Sequence, residues 1–129
     1  MNTLGGYVQN EIAGMDEIEL ETRALIKAAS LLNKVKEDWD ASKKELSPAL
    51  EKNRRLWSIL ASAMKEEDCL QPIEIKQNIL NLASYVFKRT VEVIAHPSPE
   101  KLDILISINM NIARGLSGKV DETPSGENI

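Results

Sequence analysis

Few side chains in this sequence are equipped for chemistry. His96 is the only histidine, and it precedes a proline between two helical stretches, where it reads as an exposed turn residue. Cys69 stands alone after Glu66, Glu67 and Asp68, and reads as a partly buried small hydrophobe. A single cysteine excludes an internal disulfide and any multi-cysteine metal site. Carboxylates are plentiful but fall on solvated faces and at helix starts. No glycine-rich phosphate loop, zinc spacing or calcium loop occurs, so the reading is of no catalytic, metal or cofactor-binding site.

Charge offers one more candidate. Residues 41–67 hold six basic side chains (Lys43, Lys44, Lys52, Arg54, Arg55, Lys65) against four acidic ones (Glu45, Glu51, Glu66, Glu67). Binding nucleic acid through charge requires several phosphates to be neutralised, and a surplus of two does little toward that. The whole chain carries a net charge of −4, which also argues against a basic nucleic-acid footprint. A solvated helix face is the better reading. Asn53, Thr90 and Asn109 are more informative, because each falls in line with Leu, Ile or Trp on an apolar face. A buried amide left unpaired costs about 1–3 kcal/mol, so these three are expected to bond to one another or to main-chain carbonyls and to fix helix register. Thr90 also has a local acceptor, the carbonyl of Val86 one turn back. A partner's backbone is the functional alternative.

The elements that position these residues follow from periodicity. Ile18, Leu25, Ala28, Leu32, Val35 and Trp39 recur at steps of three, four and seven, which predicts a helix over 15–39 with acids at its start. After a polar break, Ser42 with Glu45 and Ser47 with Pro48 both offer caps. Ser47 is preferred, because a start at Ser42 would leave Pro48 in a helix interior. The second helix then places Leu50, Asn53, Trp57, Leu60 and Met64 on one face. Pro72 opens a third that runs to Ala95, with Ile75, Ile79, Leu82, Val86, Thr90 and Val93 as its primary face. A second stripe, Leu80, Phe87, Val91 and Ile94, fits two arrangements equally: a central helix touching all others, or an exposed groove awaiting a partner helix. Ser98-Pro99 caps the fourth, with Leu102, Leu105, Ile106, Asn109, Ile112 and Leu116 inward and Ile104 and Ile108 beside them; Gly115 or Gly118 stops it. The expected organisation is a loose arm over 1–14, a helical domain over 15–116 and a disordered tail over 117–129.

Composition agrees. Apolar residues form 43% of 129 and charged residues 28%, enough for a core, and the scarcity of aromatics favours helices over sheets. The fold class expected is all-α, a compact antiparallel bundle of about four helices. The opening residues lack a basic start followed by an apolar core, and no apolar run approaches the roughly 18 residues that span a bilayer, so the expected setting is a reducing cytoplasm.

Those residues also carry a family resemblance. Asn53-Arg54-Arg55-Leu56-Trp57-Ser58-Ile59-Leu60, preceded by Ala49-Leu50, resembles the central signature of the FlaF family of flagellar biosynthesis regulators. Glu21-Thr22-Arg23-Ala24-Leu25 lies upstream, with Tyr7 where members often place an early tyrosine. Ile79-Leu80-Asn81-Leu82, Val86 and Arg89-Thr90 follow, and Ile106-Ser107-Ile108-Asn109, Ile112-Ala113 and Gly115-Leu116 close the pattern over roughly residues 7–117. The chain departs from it in having Leu70-Gln71-Pro72 in place of Leu-Pro, and in lacking a tryptophan near Ala83 to Tyr85. The resemblance implies a cytoplasmic, non-enzymatic protein without a cofactor, needed for flagellin production and filament assembly. It implies flagellin as partner, bound in a chaperone-like or regulatory way beside FlbT, a regulator of flagellin messenger RNA. The expected contacts are with flagellin's helical terminal regions through Arg54, Arg55, Trp57 and Arg89. The rivals are an RNA-binding regulator of the flagellin messenger and a structural homodimer or adaptor.

Overall fold

A computed structural model describes the backbone over residues 17–121 and side chains over 19–117; the arm expected over 1–14, the Ile18 side chain and residues 122–129 lie outside that range. Helix α1 spans Glu17–Glu37 and buries Leu25, Ala28, Ala29, Leu32 and Val35, one stripe of the expected pattern. Lys34 and Lys36 occupy its last turn, where cations complement the exposed carbonyls. The helix stops before Trp39, which instead opens a short helical turn, Trp39–Ser42, and packs half-buried against the core.

That turn passes through a 3-10 turn, Lys43–Glu45, into α2, Leu46–Met64. The cap expected at Ser47 is therefore not formed: Ser47 is exposed inside the first turn of α2, and Ser42 is buried with no side-chain cap bond. The chain arrives already helical, since Glu45 has helical torsions and the Leu46 N–H donates to the Lys43 carbonyl. Pro48 sits in the first turn, where the N–H it lacks would have no acceptor within α2.

Helix α3 spans Ile73–Ala95, and the Pro72 carbonyl accepts from the N–H groups of Ile75 and Lys76. It ends where His96 precedes Pro97, a residue pair that disfavours helical torsions. Ser98 is extended, and Pro99 starts a 3-10 turn, Pro99–Leu102, that leads into α4, Asp103–Asp121. Neither Gly115 nor Gly118 stops α4, which continues to Asp121 and makes 117–121 helical instead of tail. One glycine costs a helix only about 1 kcal/mol, and buried Ala113 and Leu116 hold the segment on either side of Gly115. The flank of α4 also differs from the periodicity reading: Ile108 is buried, whereas Ile106 and Ile112 are only half-buried.

The four helices form an all-α bundle, with no strand among the described residues. Helix α1 packs most extensively on α4 and also on α2, α2 packs on α3, and α3 touches α4 only lightly. The core runs through Leu25, Leu32, Leu50, Trp57, Leu60, Ile79, Val86, Val93, Leu102 and Leu105, each nearly or wholly sealed from solvent. Each such side chain stabilises the fold by about 1.5–3 kcal/mol. Helix α3 is thus peripheral, which sets aside the arrangement in which it is central and touches all the others.

Candidate functional site

The three polar residues on apolar faces are all buried, but they do not form one cluster. Asn109 of α4, Asn53 of α2 and Trp57 of α2 have no exposed surface, and they meet beside α1. The Trp57 indole Nε1 donates to Asn109 Oδ1 at 2.8 Å. Asn109 Nδ2 donates in turn to Asn53 Oδ1 at 2.8 Å and to the Leu25 carbonyl at 3.3 Å. One carboxamide therefore ties three helices at a single level. Thr90 stands apart on α3, where its hydroxyl donates to the Val86 carbonyl at 2.7 Å. Neither carboxamides nor an indole exchange protons near neutral pH, so the Asn–Trp–Asn arrangement holds register and offers no nucleophile or base.

Of the expected contact residues, Trp57 must be withdrawn. It is fully buried and its polar atom is engaged, so no partner reaches it in this fold. Arg54 and Arg55 project from α2 into solvent, each paired with Glu51 one turn earlier. Arg54 grips that carboxylate through two bonds, Nε to Oε1 at 2.9 Å and Nη2 to Oε2 at 2.7 Å, and Arg55 Nη2 lies 3.4 Å from Oε2. Hydrogen bonding from Arg54 holds the Glu51 carboxyl down at about 2, against an ordinary value of 4.5. Arg89 on α3 pairs with Glu92 at 3.0 Å. Each arginine is thus engaged within its own helix, and no bond joins those of α2 to that of α3 among the described residues. A cross-helix ion pair does form between Lys36 at the end of α1 and Asp103 at the start of α4, at 2.8 Å, and it raises the lysine's pKa.

One surface went unread in the sequence, and a second was read only in part. A shallow depression between α1 and α2 has a floor of Ala24, Ala28, Leu31 and Leu56 with Lys27 and Lys52 on its rim. The signal was an alanine pair one turn apart, which leaves room above it. The second is an extension of the α3 stripe. Ile73 is 60% exposed, Val91 65% and Ile94 57%, with Leu80 and Phe87 half-buried between them. Ile73 continues the seven-residue spacing of Leu80, Phe87 and Ile94, so the full stripe was available from periodicity.

Among the described residues no group of three or more histidine, cysteine or carboxylate side chains is placed to hold a metal ion, and no helix is long and apolar enough to cross a membrane. What the fold presents is a helical protein with a locked polar interior and an apolar outer stripe. The family model for flagellar protein FlaF matches residues 5–116, and the chain belongs to that family. No curated protein and no solved structure matches it.

Proposed function

We propose that this chain is a non-enzymatic, cytoplasmic regulator of flagellum biogenesis that promotes flagellin synthesis and filament assembly by binding flagellin in a chaperone-like manner. The observation that carries the reading is the outward apolar stripe of α3, on a protein whose family is flagellar. Flagellin's helical terminal regions are the expected ligand, because an amphipathic helix is the usual occupant of such a stripe. FlbT is a further expected partner in the same control of flagellin. Binding of flagellin messenger is the weaker reading, since Arg54 and Arg55 already share the Glu51 carboxylate.

The test is titration calorimetry of the full chain against monomeric flagellin, with the flagellin messenger leader as a parallel ligand. Saturable heat with flagellin and none with RNA is expected. Binding to RNA alone, with affinity falling steeply as salt rises, would move the function to the basic segment of α2. Heat with neither ligand would refute direct binding altogether.

A further inference from the structure

The outer face of α3 has a composition that specifies what should cover it. At about 100° per residue, Ile73, Leu80, Phe87, Val91 and Ile94 fall within about 60° of one another, on a stripe about 32 Å long. Three of these five are more than half exposed, and α3 packs on α2 with a different face that carries Ile79, Ala83, Val86, Thr90 and Val93. The charged residues bordering the stripe are both cations: Lys76 on one side and Lys88 on the other. The carboxylates of α3, Glu74 and Glu92, lie about 100° from its nearest member. Neither Lys76 nor Lys88 has a carboxylate partner among the described residues, whereas Arg89, further round the helix, is paired with Glu92.

From this we infer that the α3 stripe is a docking surface for an amphipathic helix of about six turns whose apolar seam is bordered by carboxylates. A second copy of this chain is a poor occupant. Two such stripes laid together, parallel or antiparallel, bring four bordering lysines to the seam and no acid to meet them. An acid-bordered helix supplies apolar burial for Val91, Ile73 and Ile94 and a counter-charge for each lysine, which sets partner choice as well as affinity. The inference builds on the partner-binding role proposed above and gives it a location and a charge pattern.

The test uses two synthetic helical peptides of about 22 residues, with the same leucine seam and either glutamate or lysine at its borders. Titrated into the full-length protein at low salt, the glutamate-bordered peptide should bind at least about tenfold more tightly than its lysine counterpart. The Lys76→Glu, Lys88→Glu double variant should invert that preference. Val91→Asp should weaken the favoured peptide by about tenfold while changing the melting temperature little, because Val91 lies mostly in solvent and is not packed on the core. Equal binding of both peptides, or indifference to Val91→Asp, would overturn the inference. So would concentration-dependent self-association in sedimentation that Val91→Asp abolishes, or peptide binding that appears only after residues 1–16 are removed; these would assign the stripe to a second copy or to the chain's own amino-terminal residues. The peptides report on the stripe independently of flagellin, so a surface that binds them on a protein that ignores flagellin refutes the proposed function alone.

Discussion

Replacing Asn109 with leucine removes one carboxamide and strands several groups at once. The Trp57 indole N–H loses its acceptor, and the Asn53 carboxamide loses its remaining bond, because Asn53 Nδ2 already lacks a partner among the described residues. The Leu25 carbonyl is least affected, since it lies inside α1 and keeps its place in the helix ladder. Two buried polar groups orphaned at about 1–3 kcal/mol each, partly offset by the added apolar burial of leucine, give a loss of about 3 kcal/mol. For a domain of this size that lowers the melting temperature by about 15 °C. Urea unfolding followed by far-ultraviolet circular dichroism measures the loss directly. The mechanism makes a sharper demand on the double variant. Trp57→Phe removes the orphaned donor, so combining it with Asn109→Leu should cost about 1–2 kcal/mol less than the sum of the two single changes. A loss under about 0.5 kcal/mol for Asn109→Leu, or strict additivity in the cycle, would refute the claim that this carboxamide clamps α1, α2 and α4.

Thr90→Val should be mild by contrast, under about 1 kcal/mol in the same assay, because its hydroxyl bonds only to its own helix. Gly115→Ala should stabilise the protein by about 0.5–1 kcal/mol, since Gly115 lies within α4 and an added methyl meets nothing within 4 Å; a lower melting temperature would contradict the helical reading of that segment. Glu51 should titrate near pH 2 by carboxyl-resolved NMR, and in Arg54→Ala its midpoint should move back toward 4.5. A depressed carboxyl contributes stability that is fully present above pH 4.5 and is lost as pH falls through about 2, so Glu51→Gln should remove only this group's small share of the acid dependence in that window, the other carboxylates keeping theirs.

The helices were legible because Leu25, Leu32 and Val35, or Leu50, Trp57 and Leu60, repeat at a period that no other element uses. The same logic marked Asn53, Thr90 and Asn109 as polar groups in apolar company. Which of them would meet was not legible, because Asn109 reaches Asn53 and Trp57 only through the packing of α4 and α1 against α2, and periodicity carries no information about helix order. The surface was less legible still. Trp57 and Val91 both occupy apolar stripes, yet one is sealed in the core and the other lies mostly in solvent. Core and interface draw on the same side chains, so only the peripheral position of α3 separates them. The errors at Ser47 and Gly115 share a cause: both residues signal helix ends locally, and in both places tertiary packing keeps the chain helical through the signal.

If flagellin seats on the outer face of α3 as proposed, the isoleucines of that face must report it. The most direct measurement is methyl NMR of the full chain, labelled at isoleucine, during titration with monomeric flagellin. Ile73 and Ile94, both exposed, should shift or broaden first, while buried Ile79 and Ile108 stay in place. Shifts confined to Ile59 on α2, or a spectrum that flagellin leaves untouched, would contradict it.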